Sequence, residues 1–417
     1  MDIPTPSFVV DESAVTRNMG VLAEVKRRTG CRVLLALKAF SMFELFPLMR
    51  KTLDGCCASS VHEARLGREK FGGEVHAFAA AFSETEMREL AGLVDHITLN
   101  SLAQLELFRK TQEEFFSQER MSGPTSHVPR PASRVTIGLR INPEHSEGAV
   151  EIYDPCAPKS RLGIRSEELG QGGADIPVCV RRQECLRHLN VTGLHCHNLC
   201  EQGAEPFART VGAIERKFGT LLDRISWMNF GGGHHITRGG YDLDLLCGTI
   251  NAFRARHPNI RTVYLEPGEA CVLDAGTLVA TVLDVVENGM PIAILDASCA
   301  CHTPDVMEMP YRPRVEVLKF ESSKVLKLRG GAPGEGAYTV RLAGASCLAG
   351  DVFGDWSFDA PLRTGDRVVF EDMAHYTMVK TNTFNGIRLP SIMVRETGGG
   401  LKLVRAFGYE DFVGRLS

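Results

Sequence analysis

One lysine stands at the end of an apolar run near the start of the chain. The segment RVLLALKAF, residues 32–40, places Lys38 directly after a stretch of valine and leucine that predicts a buried strand. A single lysine in this position usually extends its apolar stem so that the ammonium group reaches water. The alternative is a desolvated amine that attacks a carbonyl carbon as a nucleophile. Groups elsewhere in the chain decide between these two interpretations.

Other polar groups and a glycine triplet follow apolar runs farther along the chain. They are His195 and His197 in VTGLHCH, Gly231, Gly232 and Gly233 after SWMNF, and Glu266 at the end of RTVYLE. Glycine amides that follow a strand can approach a phosphate group closely. A lysine, a phosphate-binding loop and a carboxylate together suit pyridoxal phosphate, because the amine can hold the cofactor covalently and the carboxylate can keep its pyridine nitrogen protonated.

The elements that must position these groups alternate between amphipathic helices and short apolar strands. Asp11 is a predicted cap of a helix that Gly30 ends, and SETE, from Ser83 to Glu86, is a predicted capping box. Repeated pairs of strand and helix favour an α/β fold with a (β/α)₈ TIM barrel over residues 11–272. An open, doubly wound sheet is the alternative. In a barrel, catalytic groups lie at the carboxyl ends of the strands.

After Pro267 the pattern changes to apolar runs separated by glycine, proline and aspartate. These runs predict strands without long helices between them, and therefore a C-terminal β-rich domain over residues 273–417, joined by residues 1–10. Two segments rich in proline or glycine, residues 117–133 and 167–177, are predicted surface loops.

The composition excludes several classes of function. The chain has 417 residues, of which 44% are hydrophobic, and a net charge of −4, which provides no basic surface for nucleic acid. No apolar run is long enough for a membrane helix, and the N-terminus lacks the pattern of a signal peptide. The thirteen cysteines are scattered and odd in number, which indicates reduced thiols in the cytoplasm.

Six separated segments resemble, in order, motifs of the fold-type III pyridoxal phosphate-dependent decarboxylases. This family includes ornithine, diaminopimelate and arginine decarboxylases, and its barrel is like that of alanine racemase. The segments are LALKAF, LHCHNLCEQG, NFGGGHH, EPGEA, GASCLAGD and YTMVKTNTFNG. The resemblance extends over nearly the whole chain.

The resemblance implies a role for each matching residue. Lys38 would carry the cofactor, His197 would stack on the pyridine ring, and Glu266 would pair with the pyridine nitrogen. Cys347 would return a proton to Cα after decarboxylation, and Tyr376 would contact the phosphate. Members of the family are homodimers that share their active sites, so the resemblance also implies a homodimer in which the partner donates the cysteine segment.

Two departures from the family pattern point to one branch. Glu269 replaces the arginine that pairs with the phosphate in most relatives, and the stacking histidine His197 begins HNLCE where the diaminopimelate group usually has HIGS. Both features are similar to the branch that decarboxylates carboxynorspermidine and carboxyspermidine to norspermidine and spermidine. Such a substrate is a carboxylated polyamine, whose ammonium groups suit Asp351 and, among loop charges, Asp305 and Glu308. Arg312 in the same loop is another candidate substrate contact.

Several alternatives remain open on the sequence alone. A decarboxylase of a smaller diamino acid, such as diaminopimelate or ornithine, is the nearest. A racemase would need a tyrosine base in the second domain, and a non-catalytic regulator would have no use for a complete catalytic set. The patterns HCH at 195–197 and CACH at 299–302 lack the second ligand pair of a zinc finger, so we expect no metal.

Overall fold

The computed structural model describes residues 3–122, 135–148, 150–169, 191–321 and 324–417. The chain divides into two compact units. One comprises Met1–Arg17 with Val272–Ser417, and the other comprises Asn18–Cys271.

The unit Asn18–Cys271 contains a closed barrel of eight parallel strands. In chain order these are Arg32–Ala36, Gly55–Ala58, Glu74–Phe78, His96–Leu99, Thr136–Asn142, Val191–His195, Trp227–Asn229 and Thr262–Leu265, and the short strand Ile164–Arg165 extends the fifth. The fourth strand pairs with the fifth and the eighth pairs with the first, which closes the ring. The predicted (β/α)₈ barrel is therefore confirmed, and the open sheet is excluded.

Helices cover the barrel between its strands. The longer ones are Glu12–Thr29, Glu84–Ala91, Leu102–Ser122, Ala204–Leu222 and Leu243–Arg256, and the shorter ones are Phe46–Met49, Val61–Leu66 and Glu269–Val272. Two of the predicted caps form. The Asp11 carboxylate accepts from the Ala14 N–H at 3.0 Å, and Ser83 and Glu86 form a capping box. No helix among the described residues has the length and apolar character needed to cross a membrane.

A tryptophan fills the interior of the barrel. Trp227 is buried together with Tyr264 from the adjacent strand and Leu34 from the strand beyond it. Glycine is required opposite its indole ring, because a Cβ atom at Gly193 would lie 1.9 Å from the ring and one at Gly138 would lie 2.3 Å from it. This packed interior keeps the carboxyl ends of the strands at fixed spacing.

The other unit is a mostly antiparallel sheet structure. Its strands are Ser7–Asp11, Gly276–Glu287, Pro291–Leu295, Val315–Glu321, Lys324–Arg329, Tyr338–Ala343, Val352–Phe358, Arg367–Glu371, Ser391–Arg395 and Leu401–Arg405. Short helices lie at Cys299–His302, Pro304–Glu308, Thr377–Lys380 and Tyr409–Val413. The N-terminal strand Ser7–Asp11 pairs with Gly276–Glu287 and Ser391–Arg395, as its apolar sequence predicts.

Two local predictions differ from the structure. The run VTGLHCH is a strand only as far as His195, so His197 lies in the following loop and not on the same strand face as His195. The predicted loop at 117–133 begins as helix, because Leu102–Ser122 extends into it. The remainder of that segment, and residues 170–177 of the other predicted loop, lie outside the described residues.

Candidate active site

Lys38 lies two residues after the end of the first barrel strand, Arg32–Ala36. Its neighbours Leu37 and Ala39 are fully buried, while its own side chain is exposed. No hydrogen bond or ion pair joins its amine to another described residue. The amine is therefore presented by a rigid, buried turn and is not itself desolvated in the protein alone.

Glu266 follows the eighth strand, which is the neighbour of the strand that leads to Lys38. Its Oε1 accepts a hydrogen bond from Asn229 Nδ2 at 2.6 Å, and its Oε2 accepts one from His195 Nε2 at 3.1 Å. Burial raises the pKa of this carboxyl group, but the attraction of His195, its hydrogen bond and the Asn229 hydrogen bond outweigh burial and lower the pKa to about 2. Glu266 is therefore ionised.

His195 is buried at the end of the sixth strand and is neutral. Burial lowers the pKa of its imidazole, although the Glu266 charge opposes this shift. Because Nε2 carries the hydrogen bond to the carboxylate and Nδ1 has no partner among the described residues, the proton belongs on Nε2. The ring stacks on Phe78, with centroids 5.5 Å apart. His195 thus holds the carboxylate in place without neutralising it.

His197 is held by the backbone of the glycine triplet. The Gly232 N–H donates to His197 Nδ1 at 3.0 Å, so the imidazole proton belongs on Nε2. Arg140 Nη2 donates to the His197 carbonyl oxygen at 2.8 Å. Burial, followed by the positive charges of Lys38 and Arg140, lowers the pKa of His197 well below its usual value. The ring is therefore a neutral, oriented surface.

The glycine triplet that follows Trp227–Asn229 serves the site in a different way from the prediction. The Gly231 N–H donates to Asn229 Oδ1 at 2.8 Å, and the Gly232 N–H is used by His197. Of the three amides in the triplet, only that of Gly233 has no acceptor among the described residues. Gly233 has φ +82°, and a Cβ atom there would lie 1.8 Å from the Leu199 carbonyl oxygen, so no other residue fits. Of the three main-chain amides predicted to bind phosphate, the Gly233 amide alone is therefore not already used in the described part of the chain.

Glu269, at the position where most relatives have arginine, begins the helix Glu269–Val272. Its Oε1 lies 2.8 Å from His235 Nε2, although the imidazole N–H is not aligned for a hydrogen bond. Glu269 therefore contacts a buried histidine in the segment that follows the triplet, and it supplies no positive charge.

In the β-rich unit, Cys347 is exposed in the turn GASCLAGD. Both its main-chain N–H and its thiol lie 3.2 Å from Asn385 Oδ1, which accepts from each. Asn385 has φ +57°, a left-handed conformation that asparagine adopts more readily than most residues. One amide oxygen therefore fixes the direction of the thiol.

The carboxylate of Asp351, a predicted substrate contact, accepts hydrogen bonds from within the β-rich unit. Its side chain is only 3% exposed and accepts hydrogen bonds from the Ala300 N–H at 3.1 Å, the Ser346 N–H at 3.2 Å and the Ser346 hydroxyl at 2.5 Å. A carboxylate engaged in this way holds the turn that carries Cys347. Its oxygens are engaged within the β-rich unit, and a contact with a substrate ammonium group stays a prediction.

The other predicted substrate contacts are also engaged within their own unit. Lys380 donates to Asp305 and, at 2.9 Å, to Glu308, so an internal ammonium group already occupies both carboxylates. Arg312 is exposed and donates to the Asp355 carbonyl oxygen at 3.4 Å. A cationic substrate would have to displace Lys380 to reach the acidic pair.

Tyr376 has a strained backbone. Its φ of +48° and ψ of −50° place it at the centre of a tight turn in which the Thr377 N–H donates to the His375 carbonyl oxygen. A bulky side chain rarely adopts this conformation, and such strain is concentrated at functional sites. Sequence alone did not reveal the strain, but it did single out the residue.

Three residues that hold candidate groups were not predicted: Asn229 and Arg140 at the barrel end, and Asn385 in the β-rich unit. Each is a polar residue in a segment whose prediction rested on other residues. Asn229 is the last residue of a buried strand before the triplet, and a polar side chain in that position was an available signal. Arg140 is buried with its guanidinium 4.5 Å from the Phe78 ring centroid, and burial lowers its pKa to about 10.

One cluster of possible metal ligands lies among the described residues, at the other end of the barrel strands. It comprises Glu74, His76 and His96. The two imidazoles stack face to face, with centroids 4.1 Å apart, so their in-plane lone pairs do not converge on one point. Arg32 pairs with the glutamate. This geometry suits a packed polar cluster better than a metal centre.

A family model for pyridoxal-dependent decarboxylases, described by its C-terminal sheet domain, matches residues 7–374. The chain belongs to this family of enzymes, as its six motifs indicated, and its cofactor is pyridoxal phosphate.

Curated relatives match the chain from end to end. It is 39% identical to a carboxyaminopropylagmatine decarboxylase from Synechocystis sp., with 99% of this chain and 96% of the relative covered. It is 37% identical to a carboxynorspermidine/carboxyspermidine decarboxylase from Campylobacter jejuni, with 98% of each covered. A crystal structure of carboxynorspermidine decarboxylase from the same organism, complexed with norspermidine, has a TM-score of 0.80 and 36% identity, covering 99% of this chain and 100% of that one.

The barrel residues fit pyridoxal phosphate. The amine of Lys38 has no partner in the described part of the chain, which suits a covalent link. The carboxylate of Glu266 is ionised and still 14% exposed, which suits an acceptor for a protonated pyridine nitrogen. The neutral imidazole of His197 and the open amide of Gly233 come from the two strands beyond. Four neighbouring strand ends therefore supply the donor set that this cofactor needs.

Proposed function

We propose that this enzyme removes the α-carboxylate of a carboxylated polyamine, with carboxynorspermidine or carboxyspermidine as substrate and norspermidine or spermidine as product. The observation that carries the reaction is the amine of Lys38, which has no partner among the described residues and follows the strand next to the one that leads to the ionised carboxylate of Glu266. The substrate class is supported by relatives of that activity that match nearly the whole chain.

The barrel residues would hold the cofactor and control its charge. Pyridoxal phosphate, when bound, supplies an electron-withdrawing ring that delocalises the electron pair left on Cα when CO₂ departs. Lys38 would carry it, and Glu266 would keep a proton on the pyridine nitrogen. His197 would pack against the ring, and the Gly233 amide would contact the phosphate. For Tyr376, in the β-rich unit, the family resemblance implies a phosphate contact.

The proton that replaces the carboxylate would come from Cys347. Its thiol is exposed and directed by Asn385, so it is available as a general acid to a carbon atom brought beside it. The family resemblance supports a homodimer with shared active sites, in which the thiol of one subunit serves the cofactor of the other. The eleven described cysteines are all free, which supports a reducing compartment such as the cytoplasm.

A second candidate substrate is carboxyaminopropylagmatine. The relative that bears this activity is 39% identical over 415 residues. This substrate would present a guanidinium group where the others present an ammonium group. The acidic pair Asp305 and Glu308 could accept either cation after Lys380 moves away, so these residues do not separate the two candidates.

CO₂ release from a substrate panel tests this proposal. The panel contains carboxynorspermidine, carboxyspermidine, carboxyaminopropylagmatine, diaminopimelate and ornithine. We expect kcat/KM for one of the carboxylated polyamines to exceed that for both diamino acids by about tenfold or more, because the longer substrates carry a further cationic group that the acidic pair Asp305 and Glu308 could accept. Equal or faster turnover of diaminopimelate would replace our proposal with a diaminopimelate decarboxylase.

A further inference from the structure

Asn229 touches two parts of the candidate site that have different tasks. It is the last residue of the strand Trp227–Asn229 and is 1% exposed. Its Nδ2 donates to Glu266 Oε1 at 2.6 Å, and its Oδ1 accepts from the Gly231 N–H at 2.8 Å. The side chain therefore connects the carboxylate at one strand end to the start of the glycine triplet.

Only an amide can make both contacts while the carboxylate is ionised. A donor is needed toward Glu266 and an acceptor toward Gly231, so the two partners also fix the orientation of the amide. Aspartate has the same shape but would place a second carboxylate 2.6 Å from the first, and the pair would then retain a proton. Serine could accept from the Gly231 N–H but is too short to reach Glu266.

We propose that Asn229 is a positioning residue that sets the distance between the acceptor for the pyridine nitrogen and the loop for the phosphate, and that it thereby governs cofactor affinity and the charge state of the bound ring. The inference rests on the proposed role of Glu266. A rigid cofactor contacts both places at once, so a link between them prepares the site before binding and reduces the ordering that binding requires.

The chain offers a matched control at Asn142. This residue also ends a barrel strand, Thr136–Asn142, and is 5% exposed. Its Oδ1 accepts from the N–H two residues ahead, that of Glu144, at 2.8 Å, just as Asn229 accepts from Gly231. Its Nδ2, however, donates to the Leu162 carbonyl oxygen at 3.2 Å and not to a carboxylate. The two asparagines thus share a local structure and differ in the partner.

The experiment measures the affinity of cofactor-free protein for pyridoxal phosphate. It also measures the absorbance spectrum of the bound cofactor from about pH 6 to about pH 9. We expect Asn229→Asp and Asn229→Ser to weaken binding by about tenfold, the effect of one charge-assisted hydrogen bond. Asn142→Ser should stay within about twofold of the unaltered chain. Asn229→Asp should also change the pH dependence of the spectrum, because the two carboxyl groups would share a proton and add a titrating group beside the ring.

Glu266→Gln is measured in parallel to separate two kinds of failure. If Glu266→Gln leaves affinity and spectrum unchanged, the proposed role of Glu266 is wrong, and the inference fails with it. If Glu266→Gln changes both while Asn229→Asp changes neither, only the role of Asn229 is overturned. Equal losses in the Asn229 and Asn142 variants would show a general packing effect and would also overturn it. Asn229→Asp conserves shape, so it keeps the test available if Asn229→Ser does not fold.

Discussion

The barrel end and the turn that carries Cys347 organise their reactive groups in opposite ways. At the barrel end, Glu266, His195 and Asn229 are tied by buried hydrogen bonds that settle which groups are charged. In the β-rich unit, Cys347 is exposed and has one acceptor, Asn385. Protonation states are fixed in the first region, and access is open in the second.

This difference matches the two tasks that a decarboxylase must perform. An ionised carboxylate beside a cofactor ring must keep one charge state throughout the reaction, and buried hydrogen bonds achieve that. A proton donor must instead reach a substrate atom that changes position from one complex to the next, which suits an exposed thiol on a braced turn. Activity should therefore be sensitive to substitutions that change charge at the barrel end. In the cysteine turn, it should be sensitive to substitutions that change the direction of the thiol.

Replacing the carboxylate should give the largest loss. Glu266→Gln keeps the size of the side chain, but an amide cannot hold the pyridine nitrogen protonated. We expect kcat to fall by roughly 100- to 1,000-fold, while part of the cofactor remains bound. Steady-state kinetics with measured cofactor occupancy provides the check, and an unimpaired variant would show that another group pairs with the ring.

Removing the thiol should have the next largest effect. Cys347→Ala loses the proposed general acid, so we expect kcat to fall by about a hundredfold with KM little changed. Asn385→Gly keeps the left-handed backbone available but removes the acceptor, and should cost about tenfold. An unchanged kcat in Asn385→Gly would show that catalysis does not depend on the direction of the thiol.

Mixing two inactive chains tests whether the two regions meet across subunits. After exchange of equal amounts of Lys38→Ala and Cys347→Ala chains, about half of the dimers are mixed and each holds one complete site, so about a quarter of the activity should return. Proven subunit exchange without recovery would mean that each chain uses its own cysteine.

Stability should depend on pH through Glu266. Because folding lowers the pKa of this group to about 2 from an unfolded value near about 4.3, the ionised carboxylate stabilises the protein above pH ~4.3. This contribution, about 1 to 3 kcal/mol, should be lost as the pH falls toward 2. Urea unfolding at pH 7, 4 and 3 should show a difference between the unaltered chain and Glu266→Gln that shrinks at low pH. A constant difference would contradict the depressed pKa.

The smallest expected effect concerns the strained turn. At ordinary positions alanine is more stable than glycine, but Tyr376 has a positive φ that glycine adopts without strain. Tyr376→Gly should therefore exceed Tyr376→Ala in free energy of unfolding by about 1 kcal/mol, and both should bind pyridoxal phosphate more weakly. If Tyr376→Ala is instead the more stable of the two variants in chemical unfolding, the turn relaxes when tyrosine is replaced.

The sequence predicted the barrel and the helix cap at Asp11 because period and capping are local properties. It did not predict which groups are already engaged. Asp351 looked available for a substrate, yet three donors surround it in the folded chain. The amides of the triplet looked free, but two of them bind Asn229 and His197. Such contacts join residues from different strands, which a one-dimensional pattern does not reveal.

We propose that the barrel end is the cofactor site and that Lys38 carries the cofactor. Borohydride reduction of the purified holoenzyme, followed by proteolysis and mass spectrometry, fixes the cofactor to the amine that holds it. We predict a single modified peptide that contains Lys38, and no such label in the Lys38→Ala variant. A label on any other lysine, or an unmodified Lys38 in fully loaded enzyme, would contradict the account.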